Sequence, residues 1–140
     1  MSLAAGVAAA QACGGGVRLK WPNDLLLDGV KVGGILVEVT PATAICGIGI
    51  NLTWAPPGAA KLNQDRDLLL ERLRVELDRW SAADRDEVLT LWRALSHTLG
   101  RRVRIDLGTR VVEGMAEDIG PGGELIVDGV PVTFGSVTHL

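Results

Sequence analysis

Between Lys20 and Gly34 the chain reads KWPNDLLLDGVKVGG, which sets two of its three lysines, two aspartates and three glycines among side chains that otherwise belong in a core. Ammonium and carboxylate groups beside glycine suggest anion chemistry. A lysine holds a carboxylate or phosphate, an aspartate holds a cation such as Mg²⁺, and a missing side chain leaves room for both. Asp28-Gly29 tolerates the positive φ angles of a two-residue type I′ turn, so the stretch is a hairpin. In a regular ladder Leu27 faces Val30, Leu26 faces Lys31 and Asp24 faces Gly33. Asp24 and Lys31 then share a face as diagonal neighbours, roughly 7 Å apart at Cβ. Lys20 adds a second positive charge just upstream. The plainer alternative is an exposed ion pair worth about 0 to 1 kcal/mol.

A second stretch, GIGIN at residues 47–51, spaces Gly47 and Gly49 like the opening of GxGxxG. The third glycine position is Leu52 and no helical pattern follows at once, which excludes a dinucleotide-binding loop. Glycines alternating with Ile48 and Ile50 mark a strand that a flat ligand or another backbone approaches closely. Asn51 at its end carries both a donor and an acceptor, the pairing that suits an adenine edge.

The elements that position these residues follow from periodicity. The strand pattern VRLKW alternates and is broken by Pro22 and Asn23; ILVEV and AICGIGINL continue a meander of consecutive strands, and Trp54 to Lys61 is a loop. Leu69, Leu73, Leu77 and Trp80 predict a helix from Asp65 to about Trp80. Val88, Leu91, Trp92, Leu95 and Leu99 predict another from Arg85 to about Leu99, ended by Gly100. Beyond it, RRVRID, TRVVEGMAEDI, ELIVD, VPVTF and SVTHL are five short strands with glycine-rich turns, the pattern of a small SH3-like barrel. The domain boundary is expected near Gly100, giving domains 1–99 and 100–140.

The 140 residues are 47% hydrophobic with a mean hydropathy of +0.25, enough for packed cores. A net charge of -3 and a pI near 5.3 argue against a general nucleic-acid or membrane-surface binder. The apolar run at residues 3–13 is shorter than the ~20 residues that span a bilayer. It reads as an Ala-rich helix with Ser2 as N-cap, stopped by Gly14, Gly15 and Gly16. A helix apolar all round needs cover on more than one side, which predicts a partner layer beyond this chain. Cys13 and Cys46 need no disulfide framework and suit a reducing cytoplasm. With His97 and His139 they form no CxxC or HxxxH pair, which disfavours structural zinc.

Taken together, KWPNDLLLDGVKVGGILVEV, GIGINL, two helices, TLGRRVRI, VVEGMAEDI and a final VTHL resemble the biotin-protein ligase family, in order and over essentially the whole chain. The resemblance implies an α+β fold: a partial mixed sheet with packed helices, from a truncated class II synthetase-like catalytic domain, followed by an SH3-like domain. It implies a two-step ligase in which biotin and ATP, with Mg²⁺, form biotinyl-5′-AMP. The biotinyl group then passes to a lysine of the biotin carboxyl carrier domain of a carboxylase.

By the same resemblance Lys31 meets the biotin carboxylate and the adenylate phosphate, and Asp24 serves Mg²⁺ and positioning. Lys20 and Asn23 fall to the nucleotide, Gly34 and Leu36 to the biotin-binding strand, and Asn51 to adenine. Trp54 either covers the adenine or packs in the core or loop. The family's glycine- and arginine-rich loop is not in this sequence, so an incomplete form is expected. The rival reading is a non-catalytic truncated paralogue that binds a carrier domain or forms a homodimer. A lipoate ligase is disfavoured by WPND and the C-terminal strands together. No helix-turn-helix, hence no nucleic-acid partner, and no membrane partner is expected.

Overall fold

The computed structural model describes residues 2–140, leaving aside the Ser2 side chain, so the expected cap there lies outside the described residues. The first helix, α1 (Ser2–Cys13), forms because alanine has the highest helix propensity. It ends where Gly14, Gly15 and Gly16 all take positive φ. Its last carbonyls are not left bare: Gln64 Nε2 donates to the Cys13 carbonyl at 2.8 Å and Arg72 Nε to that of Ala12 at 3.0 Å. The helix is not short of cover, contrary to the expectation from its composition. Val7, Ala8 and Ala9 are fully buried, because methyl-sized side chains let two helices and a sheet approach one axis at once. Those helices are α2 (Arg66–Ser81) and α3 (Arg85–Leu95).

The sheet is a meander of β1 (Arg18–Lys20), β2 (Asp24–Leu27), β3 (Val30–Val39) and β4 (Ala44–Ile50), in that order. Every pairing in it is antiparallel, not mixed as expected; among the described residues the only parallel element is an isolated bridge between Leu19 and Ser96. The β2–β3 turn is of the anticipated kind, with Asp28 at φ 50° and Gly29 at φ 78°. The register departs from the regular ladder. Leu27 pairs with Val30 and Leu26 with Lys31, but Leu25 then pairs with Gly33 and Asp24 with Gly34.

Val32 is the extra residue of a bulge, and burial explains it. In a regular strand Lys31, Gly33 and Ile35 would share one face, exposing Ile35 or burying Lys31. With the bulge, Val32 and Ile35 both reach the core, while Lys31 and Leu36 both stay outside.

Two helix boundaries reflect local capping. The Asp65 side chain accepts from the Leu68 N–H at 2.9 Å and starts α2 one residue later. Helix α3 ends at Leu95, not near Leu99. Ser96 turns extended and its Oγ accepts from the N–H groups of Thr98 and Leu99, which lays residues 96–98 beside β1. The expected C-terminal strands are β5 (Arg102–Asp106), β6 (Val111–Ile119), β7 (Leu125–Val127), β8 (Val130–Val132) and β9 (Ser136–His139). Their order is β8-β7-β6-β5-β9, so β8 and β9 lie at opposite edges and the sheet is not closed into a barrel. It docks on α3 through Arg93, whose guanidinium meets Asp118 at 2.7 Å and the Ile119 carbonyl at 3.0 Å.

Candidate adenylate site

The meander has two faces with opposite fates. Leu25, Val32 and Ile35 turn toward α1 and the core. On the other side Asp24, Lys31, Gly34 and Leu36, with Asn23 at one end, line an open trough of about 500 Å³. Gly47 and Gly49 form its far wall, where β3 pairs with β4. A side chain at Gly49 would meet nothing within 4 Å, and one at Gly47 only the Leu36 carbonyl at 3.7 Å. These two glycines are therefore not imposed by close packing. They keep the wall flat.

Lys31 Nζ lies 2.8 Å from Asp24 Oδ1, with the two side chains 58% and 23% exposed. The bulge brings Gly34 under this pair: a side chain there would stand 3.8 Å from Asp24 Oδ1, Lys31 Cε and the Asn23 carbonyl. Gly33 serves another purpose, since a side chain there would strike the Gly49 carbonyl oxygen. An ammonium offers three donors and a carboxylate about four acceptor positions, so the pair retains capacity for an anionic ligand on the lysine and a cation on the aspartate.

Of the remaining predicted residues, Lys20 ends β1 opposite Asp24, outside the residues that line the trough. Asn51 commits its amide: Nδ2 donates to the Ala60 carbonyl at 2.9 Å and its backbone N–H to Val32 at 2.8 Å. The Ala60 N–H in turn donates to the Lys31 carbonyl at 2.8 Å, so this loop is fastened along the strand that carries the lysine. Trp54 is 71% exposed on the same loop and does not pack in a core. Thus Asn23, Asp24, Lys31, Gly34 and Leu36 share one trough, and Lys20, Asn51 and Trp54 are not among its lining residues.

Two family models match in chain order: the biotin/lipoate A/B protein ligase family over residues 2–52, and the biotin protein ligase C-terminal domain over residues 98–140. The chain belongs to the biotin protein ligase family. Among biotin protein ligases, the biotin--[acetyl-CoA-carboxylase] ligase of Mycobacterium tuberculosis is 39% identical over 141 residues, covering 87% of this chain and 53% of that protein. The chain thus spans about half of that relative. A crystal structure of the biotin protein ligase from Aquifex aeolicus superposes with a TM-score of 0.85 at 21% identity, covering 99% of this chain and 74% of the other. The same ligase in complex with biotin and ATP gives 0.78 at 23% identity, covering 99% and 70%. At these identities the likeness is one of fold.

In this ligase-family chain the structure also gathers residues that sequence reading set apart. His97 and His139, 42 positions apart in sequence, have ring centroids 5.3 Å from each other. Burial and then the Lys20 charge hold His139 down at about 4. His97 is lowered by burial, then by Arg101, Arg18 and Lys20. Among the described residues no group of three or more His, Cys, Asp or Glu is placed to hold a metal. Nor is any described helix long and apolar enough to cross a membrane.

Proposed function

We propose that this chain carries the adenylate-facing half of a biotin-protein ligase site, in which biotin and ATP form biotinyl-5′-AMP and the biotinyl group then passes to a carrier-domain lysine. The observation that carries the reading is the Asp24–Lys31 pair over the bare backbone of Gly34. In the first step a carboxylate attacks the α-phosphorus of ATP and pyrophosphate leaves. Two anions must approach, and Lys31 offsets their repulsion while neutralising charge that builds on the phosphoryl oxygens. In the second step an amine attacks the acyl carbonyl and AMP leaves, with the lysine beside the departing phosphate.

Leu36 and the flat glycine wall supply an apolar bed on which an acyl chain can lie, and Asn23 borders the charged end. Lys20 and Asn51 serve the nucleotide, and Trp54 is free to lie over a base. Asp24 fits Mg²⁺ as one carboxylate ligand to an ion whose other ligands are phosphate oxygens and water, the usual manner of Mg²⁺ at a nucleotide. Such an ion would neutralise phosphate charge. The biotin and ATP in the Aquifex aeolicus complex support the substrate assignment.

Calorimetric titration of the chain with biotin, ATP and biotinyl-5′-AMP tests the reading. Binding of biotinyl-5′-AMP that is lost in Lys31→Met supports it, and no heat from any of the three with a folded chain overturns it. A second reading, a non-catalytic module that binds a carrier domain or a second copy, draws on Val39 and Ile45, apolar and exposed at the hairpin end of β3 and β4. It predicts carrier-domain binding or dimerisation without any ligand heat.

A further inference from the structure

The turn that delivers Asp24 is held from outside its own sheet. Trp21 is 2% exposed, and both of its N–H donors reach residues matched by the C-terminal domain model. Its backbone N–H donates to Thr98 Oγ1 at 3.0 Å, and its indole Nε1–H donates to the Gly123 carbonyl at 2.9 Å. Thr98 is fully buried, and its hydroxyl oxygen lies 3.2 Å from His139 Nε2 on β9. Around Trp21 stand the charged groups of the site. Lys20 is the residue before it, and Asn23 and Asp24 follow within three positions. The Asn23 carbonyl accepts from the Ile35 N–H at 2.9 Å, closing the turn onto the strand that holds Lys31 and Gly34.

The Thr98 oxygen accepts from the Trp21 N–H and still holds a proton and a second lone pair, so it pairs with Nε2 of a neutral His139 in either tautomer. The groups facing that ring, Lys20 on β1, His97 and Arg101, are cationic or basic and favour its neutral form. The buried Trp21 N–H has Thr98 Oγ1 as its acceptor, and removing that acceptor leaves the donor unpaired away from water, which disfavours the present backbone position.

We propose that Thr98 and the 120–124 turn are positioning elements for the adenylate site, holding Trp21 at two points so that the following turn presents Asp24 to Lys31. The inference rests on the adenylate reading of the trough. It assigns the C-terminal sheet a part in the chemistry with no contact to the ligand.

The test uses Thr98→Val, which keeps the shape and removes the acceptor, and Thr98→Ser, which keeps the hydroxyl. The readouts are residue-resolved amide exchange and calorimetric affinity for biotinyl-5′-AMP, both in the intact chain. Loss of one buried hydrogen bond corresponds to about a tenfold change in an opening equilibrium. Thr98→Val is therefore expected to speed exchange at the Ile35 amide about tenfold, relative to the β5 amides, and to weaken biotinyl-5′-AMP by a similar factor. Thr98→Ser is expected to restore both. Equal acceleration in both sheets overturns the proposal, and so does faster Ile35 exchange with unchanged affinity. If the wild-type chain binds no biotinyl-5′-AMP, the adenylate reading fails on that result alone, and the exchange arm still decides whether Thr98 holds the turn.

Discussion

Lys31 Nζ sits 2.8 Å from Asp24 Oδ1 directly over Gly34, where an added side chain would stand 3.8 Å from both residues. The pair is exposed enough that its contribution to folding is about 0 to 1 kcal/mol. Lys31→Met is therefore expected to leave the melting temperature nearly unchanged. Loss of a charged donor to a bound anion costs about 1.5 to 3 kcal/mol, so affinity for biotinyl-5′-AMP should fall roughly 10- to 100-fold. Differential scanning fluorimetry and calorimetry on the same preparation separate the two quantities. A large fall in melting temperature with retained affinity would assign Lys31 to stability instead.

The neighbouring glycines are predicted to fail in opposite ways. In Gly33→Ala the new methyl collides with the Gly49 carbonyl oxygen and presses within 3.3 Å of Leu25 Cδ1. Overpacking of this kind costs about 1 to 3 kcal/mol, seen as a melting temperature lower by several degrees. In Gly34→Ala the methyl makes only ordinary contacts at 3.8 Å, so the fold should tolerate it. The same methyl occupies the trough floor beneath the ion pair and should weaken ligand binding. Melting curves and titrations of both variants check this, and an unchanged Gly33→Ala melting temperature refutes the close approach of β3 and β4.

Much of this site is legible in the sequence. The Asp28-Gly29 turn places the hairpin, and Asp24 and Lys31 still share a face because the extra residue lies on β3 beyond Lys31, leaving the Leu26–Lys31 pair and the β2 alternation from Asp24 to Leu26 intact. The bulge was not anticipated, because pairing arithmetic assumes one residue opposite one. Its signal was nevertheless present: Val32 and Ile35 are three apart, cannot share a face in a regular strand, and both belong in a core. The cover over α1 is not legible in the sequence, because composition reports how apolar a helix is and not how many neighbours reach it. The C-terminal strands were readable one by one, but barrel closure depends on which edges meet, and short strands do not encode that locally. The Trp21–Thr98 and Thr98–His139 contacts join residues 77 and 41 positions apart in the sequence, and no spacing rule detects them.

The two thiols should react unequally. Cys13 is 2% exposed at the end of α1, and burial, outweighing the opposing charge of Arg72, pushes its thiol up to about 11. Cys46 on β4 is raised by burial too, but is only half-buried. Because the thiolate is the reactive form, a disulfide reagent at pH 8 should modify Cys46 in the folded chain and Cys13 only after denaturant is added. Mass spectrometry of the partly modified protein identifies the site. Modification of Cys13 at a rate matching that of Cys46 would contradict the packing of α1 against α2.

The half-buried His139 gives stability a definite pH window. An imidazole ordinarily titrates near 6.5, and burial, followed by Lys20, His97 and Arg101, holds His139 at about 4 in the folded chain. Between these values the unfolded ring is protonated and the folded ring is not. The unfolded state then binds more protons, and stability falls as the solution is acidified. The contribution is complete above about pH 6.5 and is lost progressively toward pH 4. His97, lowered by burial and then by Arg101, Arg18 and Lys20, acts in the same direction. Asp118, held low chiefly by its hydrogen bond with Arg93, also favours the folded state, but its contribution is lost only as pH falls below its ordinary 3.8. Urea unfolding between pH 7 and 4.5 should therefore show a midpoint that drops with acid while the carboxylate contribution is still intact. His139→Gln has no ring to protonate, and its profile should be flatter, with the residual slope due to His97. A wild-type midpoint that does not move from pH 7 to 4.5, or a variant slope equal to the wild type's, would rule out the neutral, half-buried ring at Thr98.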